Sequence, residues 1–297
     1  MKVLAVVVTF NRQKLLARCI ENIQNQSRPP DEILVINNSS TDSTEEFLTK
    51  EKINFITQPN LGSAGGWHRG LSYAQINNFD TCWLMDDDGY PDKFSLEKLC
   101  KEFSTTTSCL SSIVVEEEQT DRFVFPMPKL NNKNLPVLTS FQRKFTSIHS
   151  KSLSNQAQYP FVHLFNGALI SILATKKIGN VETDFFMMGD EVDYFFKLRS
   201  VGEVASLMDA KHYHPAVRKR PYSNIKVYYL IKNTIILHNR YFDKPFLRNF
   251  GLIIVTFFRV LKRNGLIFTA IFFLSFKNNF FIKALIGGLK NKVGQDH

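Results

Sequence analysis

The feature of this sequence that most constrains its fold is an unbroken β-branched and apolar run at residues 3–9, which ends at the polar pair Asn11 and Arg12. A run that is apolar at every position, and not only at alternate ones, is typical of a strand buried on both faces of a parallel sheet. Further strands are predicted over residues 32–37, 53–58 and 81–85, and helices over residues 13–25, 44–50 and 67–76. This alternation predicts an α/β fold, with a Rossmann-like and mostly parallel sheet flanked by helices.

The segments that follow the predicted strands are polar or rich in glycine. They are residues 11–12, 37–38, the glycine-rich turn 62–66 and the acidic run 86–88. In parallel sheets of this kind, ligands bind beyond the carboxyl ends of the strands. The sequence therefore predicts a ligand site at this edge of the sheet.

Three consecutive acids, Asp86, Asp87 and Asp88, stand at the end of the fourth predicted strand. Carboxylates this close repel one another unless a cation lies between them. Because alternate residues of an extended segment project the same way, Asp86 and Asp88 are the better ligand pair. Oxygen ligands of this type suit Mg²⁺ or Mn²⁺ that bridges phosphate oxygens. A solvated acidic turn is the alternative, and the position directly after an apolar strand favours the metal.

A second acidic group, Asp190, Glu191 and Asp193, follows a segment rich in Phe and Met. A carboxylate in apolar surroundings can act as a general base, a role that Asp190 or Glu191 would fill. The alternative is a helix N-terminus that Asp190 caps. Downstream, His212 and His214 alternate in sequence, and a histidine here either completes a carboxylate metal site or is an ordinary packing residue.

The positive charge of the chain, +10 in total, lies in its C-terminal part. From Lys211 to His297 there are 16 Lys and Arg against two Asp, a balance of +14. The first 210 residues have 21 basic and 25 acidic residues, a balance of −4. Nucleic acid, an anionic substrate and anionic lipid headgroups are the partners that such a tail suits.

Two very hydrophobic runs in this tail, residues 252–258 and 266–276, distinguish between these partners. The cations Arg259, Lys262 and Arg263 divide them, and neither run reaches the roughly 20 apolar residues that span a bilayer. They suit helices that lie in a membrane interface against an anionic membrane surface, with a packed helical domain of basic exterior as the alternative. No recognition motif for nucleic acid accompanies the charge, so no nucleic-acid partner is expected.

The cysteines and the start of the chain bear on the cellular compartment of the protein. The four cysteines have no spacing typical of a zinc cluster or a disulfide framework, which indicates a reducing environment. The apolar start is interrupted at residues 11–12 and no small-residue cleavage site follows, so we expect a cytoplasmic protein attached peripherally to the inner face of the cell membrane.

Residues 116–158 are polar and irregular, which predicts loops or a mobile lid.

Six elements of the sequence, in the same order as in the family, resemble the family 2 glycosyltransferases with the GT-A fold, and within them the galactofuranosyl- and rhamnosyltransferase branch. They are residues 8–12, 37–42, 60–66, 85–88 and 186–193, together with His214. The resemblance implies a GT-A catalytic domain over residues 1–215, with nucleotide-sugar binding in 1–103 and the acceptor side in 104–215. A basic, hydrophobic helical region over residues 216–297 would follow.

The resemblance also implies roles for individual residues. The nucleotide-sugar site would be lined by Thr9, Phe10, Arg12, Asn38, Gly65, Gly66, Trp67 and Asp87. The residues that would hold Mn²⁺ or Mg²⁺ on the diphosphate are Asp86, Asp88 and His214. The catalytic base would be Glu191, with Asp190 as the alternative.

By the same resemblance, the protein would be an inverting, metal-dependent glycosyltransferase. The glycine turn followed by residues 67–70 most resembles members that use UDP-galactofuranose, and dTDP-rhamnose is the alternative donor. The acceptor would be a glycan or a polyprenyl-linked lipid in the synthesis of a cell-surface polysaccharide, such as the O-antigen of lipopolysaccharide, a capsule or a cell wall.

Two other classes of protein share parts of this pattern. A nucleotidyltransferase that makes an activated sugar uses a similar sheet and metal, but a basic pyrophosphate-binding signature near the first strand is missing from the sequence, and the lipid-seeking tail has no role in that reaction. A catalytically inactive sugar-binding membrane scaffold would not need the carboxylates at residues 86–88 and 190–191 or the histidine at 214.

Overall fold

A computed structural model describes residues 1–138, 142–150, 153, 156–185, 187–217, 220–275, 279–294 and 296. The chain forms two compact units. The first unit comprises Met1–Val181 and Tyr194–Ala216, and the second comprises Glu182–Asp193 and Val217–His297. This division differs from the expected domains in placing Glu182–Asp193 with the C-terminal region, and the domain boundary at residue 215 stays a prediction.

The first unit is built on one mixed sheet, which confirms the predicted α/β fold. Its strands are β1 (Val3–Thr9), β2 (Glu32–Asn37), β3 (Asn54–Thr57), β4 (Thr81–Asp86), β5 (Tyr90–Pro91), β6 (Thr107–Glu116), β7 (Arg122–Pro128), β8 (Lys144–Ser147), β9 (Gln158–Tyr159), β10 (Asn166–Ser171) and β11 (Glu203–His214). The order is β3-β2-β1-β4-β10-β6-β11-β5, and the first four of these are parallel to one another. β10 is antiparallel to β4 and β6, and β6 is parallel to β11.

The described residues of this unit contain, wholly or in part, the helices α1 (Gln13–Gln24), α2 (Thr44–Lys50), α3 (Gly62–Ile76), α4 (Ser95–Glu102), α5 (Ile172–Ile178) and α6 (Asp190–Arg199). Helix α3 corrects one expectation, because residues 62–66 form its first turns and are not a separate glycine turn. A second expectation was wrong in part, because the segment 116–158 contains β7 and β8, which pair antiparallel.

The apolar residues of β1 explain why the sheet sits at the centre of this unit. Leu4, Val6 and Val8 pack with one buried cluster, which includes residues of α3, α5 and α6. Val3, Ala5 and Val7 pack with another, which includes residues of α1 and α4. All seven positions of β1 are buried, so the continuous apolar run is required by burial on both faces of the sheet.

The second unit contains the helices α7 (Asn224–Tyr241), α8 (Pro245–Leu274) and α9 (Phe280–Leu289). They enclose an apolar cluster that includes Tyr228, Val260 and Phe272. The cations between the two hydrophobic runs do not interrupt α8; instead the helix departs from helical geometry at Gly265, which has a φ of 81°. Among the described residues, no helix combines the length and the apolar content needed to cross a membrane.

Candidate active site

The acidic run lies where three strands meet. Asp86 is the last residue of β4 and pairs with Val8 of β1. The chain then turns through Asp87, Asp88 and Gly89 into the short strand β5, which pairs antiparallel with residues 212–213 of β11. Because β11 ends at His214, this pairing brings the last histidine of the predicted set beside the acids.

Asp87 is buried at the base of the site and uses both carboxylate oxygens. The Thr9 hydroxyl donates to Oδ2 at 2.7 Å, and the Arg12 guanidinium donates to Oδ1 at 3.1 Å. Burial raises the pKa of Asp87, while these two donors oppose the rise. These contacts join Thr9, Arg12 and Asp87, three residues that the sequence assigned to the nucleotide-sugar site. The Arg12 guanidinium neutralises the buried carboxylate of Asp87, and the Thr9 hydroxyl donates a hydrogen bond to it.

Asp88 bridges Arg12 and His214. Its Oδ2 accepts from the Arg12 guanidinium at 2.8 Å, and its Oδ1 lies 3.3 Å from His214 Nε2. Burial acts to raise the pKa of Asp88, but the hydrogen bond and charge of His214 and the charge of Arg12 bring it below its usual value. Burial likewise acts to lower the pKa of His214, yet the bond to Asp88 raises it overall.

The contact between Asp88 and His214 bears on whether this site can hold a divalent metal. The His214 Nδ1 lies 2.7 Å from the Pro215 carbonyl, so Nδ1 carries the proton and the lone pair of the neutral ring is on Nε2, towards Asp88. Adjacent ligands of an octahedral ion are about 3 Å apart, which matches the separation of Nε2 and Oδ1. Among the described residues, however, no three His, Cys, Asp or Glu side chains are grouped closely enough to hold a metal. Asp88 and His214 fit as two ligands, and the complete set with Asp86 stays a prediction.

Of the other residues that were predicted to contact the nucleotide-sugar donor, some are exposed and some are buried. Phe10 is exposed at the edge of the sheet. Asn38 is buried, and its amide accepts from Gln58 at 2.9 Å and donates to the Gly62 carbonyl at 3.2 Å, so its side chain fastens loops together. Trp67 has no exposed surface and stacks on Phe165 with ring centroids 4.7 Å apart. The side chain of Trp67 thus packs in the core, and its contact with the nucleotide-sugar donor stays a prediction.

Gly65 and Gly66 have a packing role. A Cβ added at Gly66 would lie 2.6 Å from Val8 Cγ1, and one at Gly65 would overlap the Leu61 side chain. At Gly70, one turn further on, a Cβ would lie 2.6 Å from Val6 Cγ1. Gly66 and Gly70 thus allow α3 to lie directly against β1, and the approach of Gly65 and Gly66 to the donor stays a prediction.

The two candidates for the base lie in the second unit, at the start of α6. Asp190 is buried, and this burial, with the negative charge of Glu191, raises its pKa to about 6. Asp193 is fully buried, and its Oδ1 accepts from Tyr241 at 2.7 Å and from Arg240 at 3.2 Å. Asp193 therefore holds the segment in place, and Asp190 and Glu191 stay the candidates for the base. Phe186, which begins the resembling segment, lies outside the described residues.

Sequence reasoning missed two residues that position the acidic run, Arg18 and Glu117, and it left His212 as either a metal ligand or a packing residue. Arg18 donates to the Asp88 carbonyl at 2.8 Å and forms an ion pair with Glu117 at 2.8 Å. His212 is fully buried, and burial lowers its pKa to about 3, so the ring is neutral. It lies so close to Gly89 that a Cβ there would overlap the imidazole. The alternation of His212 with His214 was the only local signal; nothing in the sequence joins Arg18 to Glu117.

Comparisons with known proteins identify similar sequences and a similar fold. The family described as Glycosyl transferase family 2 matches residues 4–160. The galactofuranosyltransferase GlfT1 of Mycolicibacterium smegmatis is 29% identical over 228 residues, which cover 72% of this chain and 70% of that protein. The GlfT1 of Mycobacterium tuberculosis is 30% identical over 223 residues, with the same coverage.

A solved structure shares the fold. The mannosyltransferase PcManGT from Pyrobaculum calidifontis, in complex with GDP-Man and Mn²⁺, aligns with a TM-score of 0.57 and 16% sequence identity. The alignment covers 98% of this chain and 88% of that one.

Proposed function

The chain belongs to glycosyl transferase family 2 and transfers a sugar from a nucleotide-sugar donor, and we propose that this sugar is galactofuranose, supplied by UDP-galactofuranose. The observation that carries the proposal is the 30% identity, over 72% of the chain, to a protein named a galactofuranosyltransferase. The family match, over residues 4–160, includes β4 and all but the first residue of β1, the strands at whose carboxyl ends the acidic run lies.

We propose that the nucleotide diphosphate binds at the carboxyl edge of β1 and β4. Arg12 is half-exposed and lies against Asp87 and Asp88. Its guanidinium is thus already at the edge of the site, and it can turn towards a phosphate without any other charged side chain of the protein having to lose its water. The Thr9 hydroxyl donates a hydrogen bond to the Asp87 carboxylate and thereby keeps the acidic run in position. Phe10 offers an exposed ring on which a base can stack.

We propose that Asp86, Asp88 and His214 hold Mn²⁺ or Mg²⁺, which when bound neutralises negative charge on the departing diphosphate. The support is the partly buried contact between Asp88 and His214 and the type of ligand atoms that these residues offer.

Glu191, with Asp190 as the alternative, is proposed as the general base. Its carboxylate would take the proton from the acceptor hydroxyl while that oxygen forms a bond to the anomeric carbon. The bond from the anomeric carbon to the diphosphate breaks in the same step, and its electron pair leaves with the nucleotide. Because attack comes from the side opposite the leaving group, the anomeric configuration inverts.

We further propose that the acceptor is a glycan or a polyprenyl-linked lipid of a growing cell-surface polysaccharide, used at the inner face of the cell membrane. The second unit supports this, because α8 exposes Phe246, Phe250 and Phe258 and the region carries a large positive charge. Apolar and cationic surface together suit an anionic membrane.

The test is the release of nucleotide from a panel of UDP-galactofuranose, UDP-galactopyranose and dTDP-rhamnose, with Mn²⁺ and a polyprenyl-linked acceptor. Glu191→Gln and Asp190→Asn are compared with Glu51→Gln, which removes a carboxylate from exposed residue 51 outside the site. Release from UDP-galactofuranose alone, lost in one of the first two variants and kept in the third, would support the proposal. Release only from dTDP-rhamnose would contradict the donor, and full activity in both site variants would contradict the base.

A further inference from the structure

One face of α7 holds residues 185–193, which we name the base segment because they carry the two candidates for the base. Phe185, at its start, lies in a buried cluster with two residues of α7, and Asp193, at its end, accepts hydrogen bonds from two others. Between them, the Met188 carbonyl accepts from a fifth residue of α7. These residues of α7 are Asn233, Ile236, Leu237, Arg240 and Tyr241. Their spacing places them on one side of the helix, so α7 fastens the base segment at three points.

The backbone of the base segment is strained in its middle part. Met187 has a φ of 66° and Gly189 has a φ of 110°. The left-handed region is unfavourable for a methionine, and it is kept only where surrounding contacts fix the backbone. The turn lies directly against α7, because a Cβ added at Gly189 would lie 3.3 Å from Asn233 Cβ. The contacts with α7 are therefore what hold this turn in its strained conformation.

Asn233 makes the contact with the middle of this turn. Its side chain is buried, and Nδ2 donates to the Met188 carbonyl at 2.7 Å. The next carbonyl, that of Gly189, accepts from the backbone N–H of Asp193 at 2.9 Å and so opens α6. Because two successive peptide groups are fixed in this way, the start of α6 is fixed as well. Both candidates for the base are in the first turn of that helix.

We infer that Asn233 is a positioning residue for the general base, because its side-chain amide fixes the Met188 carbonyl and thereby the turn at which Asp190 and Glu191 begin α6. The inference rests on the proposed function, since it presupposes that one of these two acids is the base. Asn233 takes no proton itself and acts through the turn. A base displaced by about 1 Å can lower the rate by about 100-fold, so a single hydrogen bond behind the turn is enough to affect transfer.

The decisive variant is Asn233→Leu, which keeps the shape of the side chain and removes the donor. We expect kcat for nucleotide release to fall about 100-fold. The KM for the donor should stay unchanged, because the residues assigned to the donor belong to the first unit. The matched control is Thr269→Val, since the buried Thr269 hydroxyl donates to the Gly265 carbonyl of α8 at 2.7 Å. The control should keep both constants, and an unchanged kcat in Asn233→Leu would overturn the inference.

A double-mutant cycle separates positioning from a general loss of stability. Asn233→Leu is combined with Glu191→Gln or Asp190→Asn, whichever of the two has lost the activity of the base. Residues that act as one unit have non-additive effects, so Asn233→Leu should cost little more in a chain that already lacks the base. The same loss of kcat in this background as in the unmodified chain would show that Asn233 does not act through the base, and it would overturn the inference.

Amide hydrogen exchange tests the hold of Asn233 on the turn without any sugar transfer. The backbone amide of Asp193 should exchange faster in Asn233→Leu than in the unmodified chain, and at an unchanged rate in Thr269→Val. If the unmodified chain releases no nucleotide from any donor, the proposed function is contradicted. Faster exchange would then still support the hold of Asn233 on the turn, and unchanged exchange would overturn it.

The unmodified chain decides the question if Asn233→Leu does not fold. An Asp193 amide that exchanges as slowly as the amides of α7 would support the inference, because the turn and the helix would then open together. Rapid exchange of the Asp193 amide beside a protected α7 would overturn it.

Discussion

Asp88 and His214 form a partly buried contact, 3.3 Å from Oδ1 to Nε2, between the turn after β4 and the last residue of β11. Each partner favours the charged form of the other, so the pKa of Asp88 is lowered and the pKa of His214 is raised. In the absence of a metal, the two residues therefore form an ion pair whose strength depends on pH.

The first prediction concerns the stability of the metal-free protein. The raised pKa of His214 gives stability that is complete below the unfolded pKa of about 6.5 and is lost as pH rises through the folded pKa. The lowered pKa of Asp88 gives stability that is present above about 3.9 and is lost at lower pH. His214→Gln should therefore cost on the order of 1 kcal/mol near pH 5.5 and less at pH 8.5. Urea unfolding in EDTA at both pH values, followed by tryptophan fluorescence, measures this, and a cost that grows with pH would contradict it.

The second prediction concerns the metal. Loss of partners that only orient a metal ligand typically costs about 10–100-fold in affinity, so the loss of a ligand should cost at least as much. We expect EDTA to abolish nucleotide release, Mn²⁺ to restore it, and His214→Gln to raise the Mn²⁺ concentration for half-maximal activity by at least tenfold. His163→Gln is the control, because His163 is not among the predicted ligands. An unchanged Mn²⁺ requirement in His214→Gln would remove His214 from the ligand set.

The third prediction concerns Asp190, which is buried with a pKa raised to about 6. The unfolded carboxyl has a pKa of about 3.9, so above pH 6 folding forces an ionised carboxylate into an unfavourable site, and below pH 4 the penalty vanishes. Asp190→Asn should therefore stabilise the protein at pH 8, by on the order of 2–3 kcal/mol, with a smaller gain as pH falls from 6 to 4. Retaining a destabilising acid is typical of functional sites.

The control for this variant is Asp193→Asn, in the same turn of α6. The carboxylate of Asp193 is paired with Arg240 and Tyr241, so its loss should destabilise the protein at pH 8 by about 3–5 kcal/mol. Thermal unfolding followed by circular dichroism compares the two. If Asp190→Asn is destabilising at pH 8, the Asp190 carboxylate is stabilised by its surroundings, and the raised pKa is contradicted.

The sequence predicted those parts of the fold that depend on local hydrophobic pattern. The bounds of β1, β2 and α2 agree with the expected ranges. For β1 the reason is that a strand buried on both faces must be apolar at nearly every position. The acidic run was correctly placed at the end of β4. The family, the α/β fold and the enzymatic class are likewise confirmed.

What the sequence did not predict depends on contacts between distant segments. The approach of His214 to Asp88 follows from the pairing of β5 with β11, and β5 has only two residues, too few for a pattern. Trp67 was expected near the donor from the resemblance to the family; α3 begins at Gly62 and its indole is buried in the core, and a direct contact with the donor stays a prediction. Glycine is a poor helix former, so only the close packing of α3 on β1 explains a helix there.

The fourth prediction tests this packing. In an open helix, Gly→Ala stabilises by up to about 1 kcal/mol. At Gly66 the new Cβ would lie 2.6 Å from Val8 Cγ1, so we expect Gly66→Ala to destabilise by about 1–3 kcal/mol instead. Gly251→Ala in α8 is the matched control, because nothing lies within 4 Å of its Cβ position, and it should stabilise.

The measurement can separate the two units. Both tryptophans, Trp67 and Trp83, are buried in the first unit, so their fluorescence reports its unfolding, while circular dichroism also reports the helices of the second unit. Gly66→Ala should shift the fluorescence transition, and Gly251→Ala only the dichroism. A stabilised fluorescence transition in Gly66→Ala would show that α3 does not lie against β1 as described.

The fifth prediction concerns the second unit, where Lys232 has a fully buried side chain whose Nζ lies 2.8 Å from Asp296 and 3.0 Å from the Gly294 carbonyl. Removing one member of a buried ion pair leaves the other charge without compensation, which typically costs about 3–5 kcal/mol. We expect Asp296→Asn to destabilise the second unit by this amount, measured as a lower dichroism midpoint in urea. Lys232→Met in the same chain should restore most of the loss, because a buried ion pair can be replaced by apolar side chains.

An exposed pair serves as the control for this experiment. Asp209 lies 3.7 Å from Lys98 with both side chains substantially in solvent, and exposed pairs contribute only about 0–1 kcal/mol. Asp209→Asn should therefore leave both transitions nearly unchanged. If Asp296→Asn costs no more than Asp209→Asn, then the C-terminal segment does not neutralise Lys232 in solution. If the double variant is as unstable as Asp296→Asn alone, the loss comes from the contact of Asp296 with the Tyr228 hydroxyl, 2.9 Å away, and not from the buried charge.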